Sequence, residues 1–222
     1  MHTTEEQPVA IAIGPIRLEG SLEIPEAADG IVLFAHGSGS SRHRPRSRFI
    51  AQELRRCGLG TLLFDLLTAE EGRVDERTRE LRFDIDLLAQ RLVGATDWLL
   101  AQPQAQGLSI GYFGASTGSA AALIAARERS GAVRAVVSRG GRPDLAAAAL
   151  PYVLAPTLLI VGGNDPTVLQ LNYQAFAELR AEKHLETILG ATHLFEEPGA
   201  LEEVARLAAD WFREHLVAAM AG

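Results

Sequence analysis

A doubly wound, mostly parallel α/β sheet with helices on both faces and antiparallel strands at its N-terminal edge is the fold class this sequence predicts. Three observations predict it. Short apolar runs recur without polar alternation, as strands buried on both faces require. Segments with helical apolar spacing separate them. The first run is preceded by a stretch that does alternate, as an antiparallel pair with one wet face does.

The elements follow in order. VAIAIGPIRLEGSLEIP alternates around Gly14-Pro15, with a second turn expected at Glu19-Gly20. Gly30 to Ala35 is the first continuous apolar run and ends in His36-Gly37-Ser38-Gly39-Ser40. Ser47 to Cys57 sets Phe49, Ile50 and Leu54 on one helical face, and the single cysteine, Cys57, reads as a packed helix end. Thr61 to Asp65 is the second parallel strand. The charged stretch TAEEGRVDERTREL, 68–81, reads as a loop or short helix beside the pocket rather than an apolar flap. A helix over 84–100 buries Leu87, Leu88, Leu92 and Trp98; strands follow at 108–113, 132–137, 157–161 and 184–189, with helices over 116–129 and 169–182 between them. The last helix, 200–217, starts after Pro198-Gly199 and buries Leu201, Val204, Leu207, Trp211 and Phe212. No repeat or linker interrupts the pattern, so one domain over 1–222 is expected.

Bulk properties narrow the functions. The formal charge is −7, which disfavours nucleic acid and anionic membrane surfaces as partners. One cysteine makes neither an internal disulfide nor a zinc cluster, and no metal or cofactor is expected. MHTTEEQPVA has no basic region leading into an apolar one, and no run approaches a membrane span; a cytoplasmic location is the expectation.

In sheets of this kind chemistry gathers beyond the carboxyl ends of the strands. The loop after 113 reads Gly114-Ala115-Ser116-Thr117-Gly118. It has no Gly-Lys-Ser/Thr for a phosphate loop, and its glycines do not fit the dinucleotide fingerprint. It fits G-x-S-x-G, a turn that holds a serine between strand and helix. Serine is a poor nucleophile until a base takes its proton and a carboxylate orients that base. Both partners appear later in the chain, each beyond a strand: Asp165 in Gly162-Gly163-Asn164-Asp165-Pro166, then His193 in Gly190-Ala191-Thr192-His193. Asp144 is the alternative acid, and Asp165 has a competing use as a helix cap. Asp65 comes too early for the expected order. His2, His36, His43, His184 and His215 are less well placed, the last on a face that reads as exposed. Oxyanion donors are expected from the backbone N–H groups of Thr117 and Ser38, with Gly37 the alternative to Ser38.

FAHGSGSS, LLFDLLT, GYFGASTG, LLIVGGNDP and GATHLFEEPG together make the chain resemble an α/β-hydrolase, most closely the compact dienelactone hydrolase-like branch, over roughly Gly30 to Leu216. The resemblance implies a lidless hydrolase. The enzymes that name the branch use a cysteine nucleophile, whereas this chain has Ser116, and this departure points to a carboxylesterase acting on small or medium esters. The open alternatives are acyl transfer or perhydrolysis with the same triad, and a non-catalytic binding module. Arg42, Arg44, Arg46, Arg139 and Arg142 flank the expected site loops. They read as solvated surface charge, with contact to an anionic substrate as the alternative.

Overall fold

The computed structural model describes residues 6–35 and 42–217. Strand β1 (Gln7–Ile13) and strand β2 (Ile16–Glu23) form an antiparallel hairpin around Gly14-Pro15. The turn expected at Glu19-Gly20 does not form, because both residues lie inside β2. Gly20 serves a close approach instead: a Cβ there would meet Phe64 and Val9 carbons at 3.1 Å.

The parallel part comprises β3 (Gly30–Ala35), β4 (Gly60–Phe64), β5 (Ser109–Ala115), β6 (Val133–Arg139), β7 (Thr157–Gly162) and β8 (Lys183–Ile188). The sheet order is β1-β2-β4-β3-β5-β6-β7-β8, with β2 antiparallel to β4. The chain leaves β3 for β4 on one side, then returns to place β5 on the other. The helix that follows β3 and the helix that follows β5 lie on opposite faces, so a topological switch point falls between β3 and β5, where α/β sheets open a crevice. Ser116 follows β5 directly.

Helix α1 (Pro45–Arg56) and helix α6 (Ala200–Val217) cover one face; α3 (Ile85–Leu100), α4 (Thr117–Glu128) and α5 (Pro166–Glu178) cover the other. Two cores result. Val32, Phe34, Phe113 and Val137 pack against Ile50 and Leu54 of α1 and Val204, Ala208 and Phe212 of α6. Ile31, Leu33, Tyr112 and Val136 pack against Leu88, Leu92 and Leu99 of α3 and the alanine-rich stretch Ala120 to Ala126 of α4. Successive residues of β3 thus serve opposite cores, which is why its sequence shows no polar alternation.

The charged stretch after β4 folds as helix α2 (Ala69–Thr78). A capping box closes its start: Glu71 N–H donates to Thr68 Oγ1, and Thr68 N–H to the Glu71 carboxylate. Buried Asp75 is answered by Arg82, whose Nε lies 2.7 Å from Oδ2 and whose backbone N–H donates to Oδ1. Two expectations are corrected. Cys57 caps α1 but is exposed rather than packed. His215 is not on an exposed face; its side chain is 11% exposed and its ring stands edge-on to Trp211 at 4.3 Å. Among the described residues, no helix is long and apolar enough to cross a membrane.

Candidate active site

Ser116 is the single residue between β5 and α4. Its backbone sits at φ 51°, ψ −124°, a region that costs a non-glycine residue about 1–3 kcal/mol. The surroundings hold it there. Its N–H donates to Arg139 O at 3.3 Å, and its carbonyl accepts from the N–H groups of Ser119 and Arg142, both at 3.1 Å. Strand and helix close so tightly that a Cβ on Gly114 would lie 2.5 Å from Ser119 Cα, so glycine is required there. The Ser116 hydroxyl makes no capping bond to its own helix, and the residue keeps partial exposure. Thr117 is the first helical residue, where the N–H has no intrahelical acceptor.

Asp165 ends the β7 loop and caps α5, and its two oxygens divide the work. Oδ1 accepts the Val168 N–H at 3.4 Å, while Oδ2 lies 2.7 Å from His193 Nδ1. Capping and histidine binding are therefore compatible in one carboxylate. An ionised carboxylate only accepts, so Nδ1 carries the proton and Nε2 is left as the basic nitrogen of the neutral ring. The histidine loop is tied to the β7 loop through Asn164, whose N–H donates to Ala191 O and whose Nδ2 donates to Gly190 O, both at 2.9 Å. Glu197 holds it from the far side by accepting the Thr192 N–H at 3.0 Å.

The turn after β6 brings the two halves together. Gly140 has φ 50°, and a Cβ there would lie 3.3 Å from His193 O and 3.5 Å from His193 Cε1. Its neighbour Arg139 is the acceptor for the Ser116 N–H. One short turn thus touches both the serine backbone and the histidine ring. Among the described residues no hydrogen bond joins Ser116 Oγ to His193 Nε2; such contacts often tighten only when substrate binds.

The alternatives are engaged elsewhere. Asp144 takes a bidentate ion pair from Arg142, at 2.8 and 2.7 Å. Asp65 is held by the Arg42 backbone N–H and guanidinium, and Arg42 also reaches Glu19. His43 is exposed, and His184 pairs with Glu186 on β8. Ser38, Gly37, His36 and His2 lie outside the described residues. Among the described residues, one group has donor atoms close enough for a metal ion, Glu182, Glu214 and His215, but it sits where β8 begins, at the opposite end of the sheet.

Sequence reading missed three supporting residues: Glu197, Gly140 and Asn172. Asn172 is fully buried in α5 and donates to Gly141 O at 3.0 Å, joining that helix to the β6 turn. An asparagine on the otherwise apolar inner face of the helix was the available signal. Glu197 and Gly140 carried none, since their contacts are made across loops.

No family model matches the chain. Among solved structures, a dienelactone hydrolase from Anabaena variabilis superposes with a TM-score of 0.95 at 60% identity, over 97% of this chain and 100% of that one. The chain belongs to the dienelactone hydrolase family. Est1E from Butyrivibrio proteoclasticus shares the fold alone, with a TM-score of 0.78 at 14% identity over 93% of this chain and 98% of that one. The dienelactone hydrolase family and its α/β-hydrolase fold thus account for the sheet, its antiparallel edge and the absence of a large lid among the described residues. Among curated sequences, a protein of Mycobacterium tuberculosis named "Putative phosphoribosyl transferase" is 56% identical over 211 residues, in each of two strains. The match covers 95% of this chain and 47% of that protein, so the chain spans about half the length of the curated relatives it matches.

Proposed function

We propose that this member of the dienelactone hydrolase family is a serine hydrolase that cleaves small or medium carboxylic esters through an acyl-enzyme. The observation that carries the reading is Ser116 in a strained strand-to-helix turn, on the same sheet edge as a histidine already bonded to a carboxylate. A backbone penalty with no structural return is tolerated where function needs it.

His193 Nε2 takes the Ser116 proton as Oγ bonds to the ester carbonyl carbon. Asp165 stabilises the imidazolium. The carbonyl electron pair moves onto oxygen, which the Thr117 N–H and a second donor from the loop after β3, with Ser38 the candidate, receive. The carbon–oxygen bond to the alcohol breaks, and the alcohol leaves with the proton from Nε2. Water repeats the sequence on the acyl-enzyme and returns Ser116. Each of these steps uses only side chains and backbone, and the reading calls for no metal or cofactor.

Phosphoribosyl transfer is the reading that the curated name favours. We assign it to the half of those proteins that this chain does not match, since the segment of this chain that is matched holds Ser116, Asp165 and His193 in hydrolase order. Turnover of p-nitrophenyl butyrate by the wild-type chain, lost in Ser116→Ala with the thermal transition retained, is the expected result. Undiminished turnover in that variant rejects the mechanism.

A further inference from the structure

The end of the sheet away from Ser116 carries a second cluster of chemistry-bearing side chains. Glu182 immediately precedes β8, and Glu214 and His215 lie late in α6. A carboxylate oxygen from each glutamate and a ring nitrogen of His215 all lie within 4.8 Å of one another. The histidine is the informative member. Its Nε2 is shut off from solvent, yet it has no hydrogen-bond partner among the described residues. Glu182 Oε1 stands 3.8 Å away, beyond hydrogen-bond range. A buried ring nitrogen left in that state costs free energy in either tautomer, so it calls for a partner.

The spacing says which partner fits. Zinc bonds to imidazole nitrogen and carboxylate oxygen run about 2.0–2.2 Å, so two of them set at a wide angle bridge such a gap. Both glutamates are exposed, and rotation of their side chains can complete the set. The backbone beneath them is fixed. The Glu182 carbonyl accepts the Thr157 N–H at 2.9 Å. The His215 ring stands edge-on to Trp211, whose Nε1 donates to Pro156 O at 3.4 Å. Ligands from two distant segments are thus tied to consecutive residues where β7 begins. Charge points the same way: among the described residues no arginine or lysine pairs with Glu182 or Glu214. The lone cysteine excludes a thiolate cluster but not this set of imidazole and carboxylates.

We propose that His215 Nε2 and the carboxylates of Glu182 and Glu214 bind a divalent transition-metal ion of the zinc type, which clamps α6 to the start of β8. Imidazole beside carboxylate suits zinc, whereas calcium and magnesium prefer oxygen ligands. Three protein ligands leave a further position for water. The site stands apart from Ser116, and the proposal is independent of the hydrolase reading.

Zinc chloride titrated calorimetrically into the untagged chain tests it. The titration uses the His193→Ala background, which removes the Asp165–His193 pair as a competing zinc ligand. One ion per chain, bound at micromolar zinc, is expected. His215→Gln should abolish this binding, and Glu182→Gln and Glu214→Gln should each weaken it by roughly tenfold or more. In the same background zinc should raise Tm by a few degrees, EDTA should reverse the rise, and magnesium and calcium should not reproduce it. Should the His215 variant fold poorly, Glu214→Gln carries the test, because Glu214 is exposed. No binding at millimolar zinc overturns the proposal. So does binding that survives His215→Gln, or that neither glutamate substitution weakens.

Discussion

The middle of β5 and the ends of β5 and β6 treat buried polar groups in opposite ways. Tyr112 lies mid-strand and fully buried, yet its hydroxyl is bonded to Thr96 Oγ1 of α3, which in turn donates to Leu92 O at 2.8 Å. Burial pushes the Tyr112 phenol up, so it stays a protonated donor across the neutral range. A few residues on, the pattern reverses. Ser116 holds a strained backbone, and among the described residues the buried Ser138 and Ser119 hydroxyls and the Arg139 Nε and Nη1 find no hydrogen-bond partner. Native interiors satisfy nearly all their polar groups, and departures concentrate where a ligand is to be met. In β5 and β6 the middle is thus a closed scaffold, and the unpaired polar groups gather towards the strand ends.

The sharpest way to break that contrast is at the strand end. Ser116→Ala should lower ester turnover by at least roughly 10³-fold. Ser116→Gly should be equally inactive but more stable than Ser116→Ala, by on the order of 1 kcal/mol, because glycine accepts the positive φ. Denaturant unfolding of the two variants reads the difference, and equal stabilities would remove the strain from the argument. Next in size, Asp165→Asn should reduce kcat by roughly 10²- to 10⁴-fold, whereas Asp144→Asn should stay within about twofold, since its charge is answered by Arg142 alone. Reversed effects would exchange the two acids.

Gly114→Ala tests the close approach of β5 and α4. The added carbon meets backbone 2.5 Å away, and the loss in unfolding free energy should be about 1–3 kcal/mol. In the scaffold region, Tyr112→Phe should cost about 1 kcal/mol in stability and leave ester kinetics within about twofold. A large kinetic effect there would erase the distinction between mid-strand and strand end. The smallest effect concerns Glu197. Its hydrogen bonds with Thr192 hold its carboxyl below the usual range. Support of this kind is present above the ordinary carboxylate value and is lost as pH falls through the depressed one. The difference in melting temperature between wild type and Glu197→Gln should therefore shrink from about pH 6 towards about pH 3.

Much of this was legible in the sequence because the physics is local. Double-sided burial writes itself as unbroken apolar runs, and these marked the parallel strands β3 to β7 within a residue or two, whereas edge strand β8 is only partly buried. The elbow was legible because only glycine fits at 114, and Asp165 and His193 because each lies in the loop that follows a strand. What was not legible depends on contacts between distant segments. Gly20 reads as a turn in isolation; only the presence of β1 and β4 on either side turns it into a packing residue. His215 sits in a polar-looking stretch, and its burial comes from the indole of Trp211 one helical turn away. Arg139 reads as one more surface arginine beside Arg142. Its isolation is visible only once Asp144, Glu196, Asp65 and Glu19 are seen paired with its neighbours.

The central claim is that the strained serine between β5 and α4 is a nucleophile. Intact-protein and peptide mass spectrometry after brief treatment with a fluorophosphonate tests it without assuming any substrate. One phosphonyl adduct per chain, located on Ser116 and absent from both Ser116→Ala and His193→Ala, is the predicted result. An unmodified Ser116, or labelling at another residue that survives both substitutions, would contradict it.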